Sequence, residues 1–257
     1  MTDDRKLELE VEVPGTPEQV WQAIATGPGI SSWYVPHVVE ERTGGAATAS
    51  FGDGPDMQIP GVVAAWDPPR RIVFSGHEPG MGLAFEWLVE ARDGGTCVVR
   101  LVNSGFGSGE EWDAQYDAME GGWRLFLLNL ELHLTYFSGQ AATSMLPMAM
   151  WTGLRDDVWP RLLNELGVTS KPVAGQRFET GADAPRLAGT VVETGPCHVS
   201  LVLDEPAPGT ALIAAEGTDH CGVSVWSYLY GVDAATIVER EKPRWQQWLD
   251  DRASRQP

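Results

Sequence analysis

The chain has 257 residues, and 18 Lys and Arg stand against 36 Asp and Glu, so its formal net charge is −18. A protein that binds nucleic acid must neutralise phosphates with basic residues, and the same holds at an anionic membrane surface. This balance therefore argues against nucleic acid and membrane surfaces as partners. The hydrophobic fraction of 43% and the charged fraction of 21% are typical of a folded globular protein.

The start of the chain and its cysteines indicate a compartment. The N-terminus leads into a charged segment, and no apolar run approaches the ~18 residues that a membrane helix needs. The three cysteines, Cys97, Cys197 and Cys221, are widely spaced and include no CxxC pair. The sequence thus predicts neither a disulfide framework nor a thiolate metal site. We expect a cytoplasmic protein with reduced thiols.

The first half of the chain is predicted to form an antiparallel sheet followed by one long helix. Residues 7–13 alternate with period two, which predicts a half-buried strand, and Thr16 followed by Pro17 predicts the start of a short helix. After Gly109, apolar residues recur at steps of three and four for about 28 residues, which indicates a long amphipathic helix that Gly121 and Gly122 could kink. Between the two helices, Gly, Pro and Asp clusters separate six strand-like segments, at 35–40, 46–51, 57–66, 71–75, 83–90 and 96–103.

A small, polar linker at residues 138–144 precedes a second predicted α+β domain. The predicted domains are residues 1–138 and 145–257. Two alternatives remain open for the second: a degenerate repeat of the first, or a composite extension that packs on it. The repeat depends on sparse matches, which are Met145–Trp151 with Leu7–Val13, Gly153 with Gly15, Val158–Trp159 with Val20–Trp21, and residues 189–196 (GTVVETGP) with residues 61–68 (GVVAAWDP).

The order of strand, short helices, six strands and long helix resembles the helix-grip fold of the START-like or SRPBCC superfamily. In that α+β fold, a curved antiparallel sheet wraps around a long C-terminal helix. Over residues 5 to 137, local motifs resemble the branch of homologues of the activator of the heat-shock-protein-90 ATPase. These motifs are PEQVWQA from Pro17, Trp33, GVV from Gly61, DPPRRIVF from Asp67, Gly95-Thr96, SGF from Ser104, and GGW from Gly121 followed by LLNL from Leu127.

The resemblance implies an apolar cavity between helix and sheet, which holds small hydrophobic molecules in some members of the superfamily. The aromatic residues fit this expectation, because 11 Trp, 7 Phe and 5 Tyr supply rigid rings that can line a gap without collapsing into it. Each of these residues could instead be ordinary core. The predicted ligand-binding residues are Trp66, Phe74, Phe85, Trp87, Asn103, Trp112, Tyr116, Met119, Trp123 and Phe126.

The alternation of side chains along each strand predicts which polar residues face the cavity. Asn103 shares the inward phase of its strand, whereas Glu86 falls on the outward side of its own. His77 follows a strand end, where a loop could fold over the cavity mouth, and it is a weak catalytic candidate. Asp219-His220-Cys221 places an acid, an imidazole and a thiol in sequence, but adjacent strand residues face opposite sides, so we expect no relay.

Other chemistry is disfavoured by the sequence. It contains no G-x-S-x-G elbow, no phosphate-binding G-x-x-x-x-G-K-[ST] loop and no H-E-x-x-H motif. The histidines show no metal-ligand spacing, so we predict no metal, and we predict no cofactor. The five are His37, His77, His133, His198 and His220.

Three functions from different classes remain. The favoured one is binding of a small hydrophobic molecule in the cavity, which makes an enzyme the less favoured expectation. The second is an enzyme of the polyketide cyclase or dehydratase type, which the superfamily contains and which needs an acid or base in the cavity, such as His77 or Asp113. The third is a protein-interaction adaptor related to chaperone ATPase activators, whose protein partner would carry a basic patch. The sequence predicts no oligomeric state.

Overall fold

The structure is a computed structural model, and it describes residues 5–52, 54–76, 82–107, 109–218 and 220–253. The chain divides into two compact units, Met1–Ala141 and Ala142–Pro257. Each unit holds one antiparallel sheet and ends in a helix, so the predicted α+β class is confirmed. Within these described ranges, no helix is long and apolar enough to cross a membrane.

The described residues of the first unit form seven strands, three α-helices and a short 3-10 helix at Pro55–Met57. The strands lie in the order 1-7-6-5-4-3-2, all antiparallel, so the first strand pairs with the last and the others follow as a meander. In chain order the elements are β1 (Leu7–Pro14), α1 (Pro17–Ala25), α2 (Gly27–Ile30), β2 (His37–Val39), β3 (Ala46–Ser50), β4 (Gln58–Asp67), β5 (Arg71–Ser75), β6 (Ala84–Arg92), β7 (Thr96–Ser104) and α3 (Glu110–Tyr136).

The entry into α1 shows why the chain turns at the end of β1. Gly15 adopts a φ of +121°, which a side chain would resist, and its N–H donates to the carbonyl of Gly95 at 3.0 Å. The Thr16 hydroxyl then accepts from the Gln19 N–H at 3.4 Å, and the Gln19 side chain accepts from the Thr16 N–H at 2.9 Å. This reciprocal capping box starts the helix where the sequence predicts it.

The sheet separates an apolar inner face from a charged outer face. Along β7, Cys97, Val99, Leu101 and Asn103 are buried, and α3 packs against β1 on this inner side. On the outer side, Arg100 lies 2.5 Å from Glu10, and Arg71 lies 2.5 Å from Glu86. The outward phase predicted for Glu86 is therefore observed. Helix α3 continues without interruption through Gly121 and Gly122.

The second unit follows a related path, and its described residues also form seven strands. The order is 10-11-12-13-14, and the last strand then pairs with both initial strands, as β7 pairs with β1 in the first unit. In chain order the elements are β8 (Thr143–Met145), β9 (Met148–Thr152), α4 (Arg155–Glu165), β10 (Arg177–Glu179), β11 (Ala188–Thr194), β12 (His198–Glu205), β13 (Gly209–Glu216), β14 (His220–Leu229) and α5 (Ala234–Ala253).

Three local features recur at matching places in the two units. Gly153, between β9 and α4, has a φ of +129°, and its carbonyl accepts from the Cys221 thiol at 3.5 Å. The Gly15 carbonyl likewise accepts from the Cys97 thiol at 3.4 Å. The sequence echo between residues 61–68 and 189–196 corresponds to β4 and β11, each of which shifts register two residues after its glycine.

The third feature lies on the closing helices. Trp123 and Phe126 of α3 form an edge-to-face pair with centroids 5.9 Å apart, and Trp245 and Trp248 of α5 form one at 5.6 Å. Leu127 and Leu249 follow these pairs directly, and both are buried. The second unit is therefore a degenerate copy of the first, which decides between the two alternatives left open by the sequence.

Candidate ligand-binding site

A cavity of about 480 Å³ lies inside the first unit, between α3 and the inner face of the sheet. Its volume is in the range of small-molecule sites, about 300 to 1,000 Å³. Strands β2 to β6 form one wall, α3 forms the opposite wall, and the segment that follows α2 closes one end. The lining residues are Ile24, Ile30, Trp33, Tyr34, His37, Ala47, Thr48, Ala49, Phe51, Ile59, Pro60, Gly61, Val62, Phe74, Ser75, Gly76, Leu83, Phe85, Trp87, Gln115, Met119 and Trp123.

Aromatic rings in mutual contact hold the cavity open. Trp123 is at the centre of this network, with ring centroids 5.5 Å from Trp87, 5.6 Å from Phe85 and 4.9 Å from Tyr34. Trp33 meets Trp87 edge to face at 5.6 Å, and its indole N–H donates to the Ala23 carbonyl at 2.9 Å. Because each ring is fixed by its neighbours, the walls resist collapse into the empty volume.

His37 is held as a neutral base at the cavity. Its Nδ1 lies 2.8 Å from the Val35 carbonyl, and since a carbonyl only accepts, Nδ1 carries the proton and Nε2 is an acceptor. Burial lowers the pKa of His37, although the hydrogen bond to Val35 opposes this effect. The imidazole is therefore neutral at neutral pH, and Nε2 accepts a hydrogen bond from none of the described residues.

Tyr34 lies beside His37, with ring centroids 5.5 Å apart. Burial raises the pKa of its phenol well above the ordinary value, so the group remains a protonated donor. Its hydroxyl forms no hydrogen bond with any described residue. It is also absent from the set of solvent-inaccessible side-chain atoms that lack a hydrogen bond. Tyr34 is one of the residues that line the cavity.

Half of the sequence-predicted ligand-binding residues line the cavity. These are Phe74 and Phe85, which pair across β5 and β6, together with Trp87, Met119 and Trp123. Strand alternation and helical spacing place them on the inner face. The sequence pattern did not identify four further lining residues, because they belong to short or irregular segments without periodicity: Trp33, Tyr34, His37 and Phe51. The only available signal was the density of aromatic residues in the WYVPH run from Trp33.

The structure places the other five predicted residues outside the cavity. Trp66 is on the inner face but at the far end of β4, where it packs edge to face on Trp21 of α1 at 5.0 Å. Trp112 and Tyr116, in the first turns of α3, pack on Phe106 with centroids 6.4 and 5.1 Å away. Inward phase alone therefore does not identify lining residues, because α1 and the start of α3 cover both ends of the sheet.

Phe126 and Asn103 lie behind the lining residues. The Phe126 ring meets Tyr34 edge to face at 4.5 Å, so it supports a lining residue. Asn103 is fully buried and its amide donates to the Met119 sulfur at 3.7 Å, while its Oδ1 has no partner among the described residues. The predicted inward phase of Asn103 is observed, but Met119 separates its amide from the cavity.

The remaining candidates fall outside the site or outside the described residues. His77 lies outside the described residues. Asp113 is exposed and pairs with Arg5, which corrects the expectation that it could act as an acid or base in the cavity. Asp219 is not described, whereas His220 is exposed and Cys221 is buried on the other side of β14. Adjacent positions of this strand thus face opposite sides, as expected.

No group of three or more His, Cys, Asp or Glu residues suited to a metal ion occurs in the part of the chain that the structure describes. Among the histidines, His37 lines the cavity, whereas His133 is only 3% exposed and burial lowers its pKa to about 4. His198 lies 3.5 Å from Glu193 on the second unit. The described cavity-lining residues include no Asp, Glu, Lys or Arg.

Solved structures that are similar to this chain match either about half of it or nearly all of it. The Aha1 dimer from Colwellia psychrerythraea is 20% identical, with a TM-score of 0.43, and the match covers 52% of this chain and 99% of that one. The di-domain ARO/CYC BexL from the BE-7585A biosynthetic pathway is 15% identical, with a TM-score of 0.45, over 98% and 100% of the two chains. DynU16, from the dynemicin biosynthetic locus, is 17% identical, with a TM-score of 0.43, over 98% of both chains.

No curated protein matches the chain. A family model does match the first unit, and it ends one residue before the last residue of α3. Residues 14–135 match the Activator of Hsp90 ATPase homolog 1-like protein family, which confirms the resemblance found over residues 5 to 137.

Proposed function

We propose that the first unit binds a small, largely apolar molecule in the cavity between α3 and the sheet. One observation carries the proposal: a cavity of about 480 Å³ lined mainly by aromatic and aliphatic side chains. Transferring apolar ligand surface from water into such a volume is favourable by roughly 25 cal/mol for each Å² buried. The fixed rings supply that surface with little loss of side-chain entropy.

The walls are also preformed, which supports binding over a purely structural role. A core that serves only stability packs to crystal-like density and leaves few voids larger than a water molecule. Here the contacting rings of Trp33, Trp87 and Trp123 surround a volume many times larger than one water, which occupies about 30 Å³ in the liquid. Such a volume has room for a small organic molecule.

A cavity-filling substitution tests this proposal. Ala49 lines the cavity on β3, whereas Ala46 on the same strand is exposed. We expect wild-type protein and Ala46→Phe to bind the neutral fluorescent probe N-phenyl-1-naphthylamine at one site per chain. Ala49→Phe is expected to abolish that binding while the far-ultraviolet circular dichroism stays native. Equal probe binding by all three folded proteins would refute the proposed site.

A second candidate function is catalysis, and the position of His37 favours it. A neutral imidazole with a free Nε2 at an apolar cavity has the chemistry of a general base. Activity of the cyclase or dehydratase type would then depend on this residue. We expect His37→Gln to lower any turnover of a polyketone substrate by ~10²-fold or more. Unchanged turnover in the folded variant would remove His37 from catalysis.

A further inference from the structure

Two neighbouring residues that line the cavity carry polar atoms of opposite character. The Tyr34 hydroxyl is a donor and His37 Nε2 is an acceptor, on rings whose centroids are 5.5 Å apart. Neither atom forms a hydrogen bond with another described residue. Neither is among the solvent-inaccessible side-chain atoms that lack a hydrogen bond. The cavity therefore has one end that can both give and take a hydrogen bond.

The positions of these two side chains are fixed. His37 is anchored through Nδ1, which lies 2.8 Å from the Val35 carbonyl oxygen. Its ring packs on Phe74, with ring centroids 6.4 Å apart. The Tyr34 ring packs on Trp123 and Phe126, with ring centroids 4.9 and 4.5 Å away. Preorganised groups lose little entropy on binding, so a hydrogen bond made to them retains most of its strength.

The remaining lining limits the charge of a ligand. No Lys or Arg is found among the described lining residues, and the whole chain has a net charge of −18. A carboxylate or phosphate in the cavity would lose its hydration without gaining a cationic partner. Anionic ligands are therefore disfavoured relative to neutral ones of the same shape.

A purely apolar ligand would be disfavoured for the converse reason. It would displace water from the Tyr34 hydroxyl and from His37 Nε2 and leave both without a partner. A buried polar group that loses its partner is costly, and this cost is a strong source of selectivity. A ligand hydroxyl reduces this cost, because a hydroxyl can donate, as the His37 acceptor requires, and can accept, as the Tyr34 donor requires.

We propose that the cavity selects neutral aromatic molecules that carry a phenolic or enolic hydroxyl, and that Tyr34 and His37 are the residues that recognise this group. The inference rests on the proposed function, because it assigns a ligand class to the same cavity. The flat, ring-lined walls bind the aromatic body through apolar contact. The donor and acceptor pair then distinguishes hydroxylated ligands from others of the same size.

Three probes of similar shape test the inference on the full chain by isothermal titration calorimetry. They are naphthalene, 1-naphthol and 1-naphthoate, at a pH where the naphthol is neutral and the naphthoate is charged. We expect 1-naphthol to bind at least about fivefold more tightly than naphthalene, the effect of roughly one net hydrogen bond. We expect 1-naphthoate to bind more weakly than either.

Conservative variants assign this preference to the two residues. Tyr34→Phe removes only the hydroxyl, and His37→Asn retains a donor for the Val35 carbonyl while it deletes the Nε2 acceptor. Each is expected to bring 1-naphthol close to parity with naphthalene, because 1-naphthol loses a hydrogen bond and naphthalene leaves one buried polar group fewer unpaired. Tyr136→Phe, which removes the hydroxyl of an exposed tyrosine outside the cavity lining, is the matched control and should keep the full preference.

The outcomes separate the inference from the proposed function. Binding of naphthalene without any preference for 1-naphthol would overturn the inference and leave the binding function standing. A preference that persists in both Tyr34→Phe and His37→Asn would overturn the assigned residues, and tighter binding of 1-naphthoate would overturn the charge selectivity. Failure of all three probes to bind the folded chain would refute the proposed function itself.

Discussion

At the scale of single residues, Trp123 and Trp21 separate stability from ligand binding. Both are buried, but Trp123 lines the cavity, whereas Trp21 packs on Trp66 at the α1 end of the sheet. We expect each Trp→Ala change to lower the free energy of unfolding by ~3 to 5 kcal/mol. Only Trp123→Ala is expected to weaken binding of N-phenyl-1-naphthylamine in the fraction that remains folded. Unchanged affinity in Trp123→Ala would argue against the cavity as the probe site.

The free energy of unfolding should depend on pH through His133, because burial lowers the pKa of this residue to about 4. The unfolded chain takes up this proton near its ordinary pKa of ~6.5, so stability is complete above that value and falls as the pH drops through 6.5 toward 4. The loss due to His133 is about 2 kcal/mol at pH 5. Denaturant unfolding of wild type and His133→Leu at pH 7.5 and pH 5 measures this difference. Equal losses in both proteins would contradict it.

The sequence predicted some of the residues that line the cavity but not others. Phe85 and Trp87 were predictable because strand alternation alone directs them inward. Tyr34 and His37 were not, because the segment after α2 has no periodicity and its direction depends on tertiary packing. Trp66 illustrates the opposite limit, since its inward phase is right but its position along β4 puts it over α1.

At the scale of elements, two glycine contexts give opposite predictions. Gly121 lies within α3, it is exposed, and an added Cβ would meet no described atom within 4 Å. We expect Gly121→Ala to raise the free energy of unfolding by about 0.5 to 1 kcal/mol, because alanine loses less backbone entropy in a helix. Thermal or denaturant unfolding measures the change, and destabilisation would indicate that α3 needs a glycine there.

Alanine is expected to have the opposite effect at the turn glycines Gly15 and Gly153, where it should destabilise the protein. Both have φ values in the left-handed region, +121° and +129°, at equivalent points of the two units. We expect Gly15→Ala and Gly153→Ala each to cost at least about 1 to 2 kcal/mol of unfolding free energy. A stabilising effect of either substitution would contradict the strain argument. Similar costs at both sites are expected if the two turns are equivalent.

Most element boundaries followed from the sequence because turn chemistry is local. The alternating residues of β1, the capping box at Thr16 and the Gly and Pro clusters each specify an end without knowledge of the fold. The matched register shifts in β4 and β11 were not predictable, since a bulge depends on how the partner strand packs. The shared Gly-x-Val pattern marked the equivalence but not its cause.

At the scale of the whole molecule, the two units keep a topology while their side chains diverge. Sheet order, the strand-to-helix turn and the paired aromatics of α3 and α5 are preserved, although few residues match. A core accepts many combinations of apolar residues of suitable volume, so sequence identity fades faster than the path of the chain. This explains why sequence alone left the repeat and the composite extension equally open.

The described cavity lies within the first unit, and this gives a prediction for separated fragments. Every described residue that lines the cavity, from Ile24 to Trp123, lies within residues 1–141, as does the complete seven-stranded sheet. We therefore expect residues 1–141, expressed alone, to unfold cooperatively and to bind N-phenyl-1-naphthylamine with a Kd within about threefold of the full chain, a difference of less than ~1 kcal/mol. Residues 142–257 should not bind the probe at the same concentrations. The measurement combines dispersed amide signals, which establish folding, with a fluorescence titration. A folded first fragment whose affinity falls more than ~10-fold would show that the binding site needs the second unit.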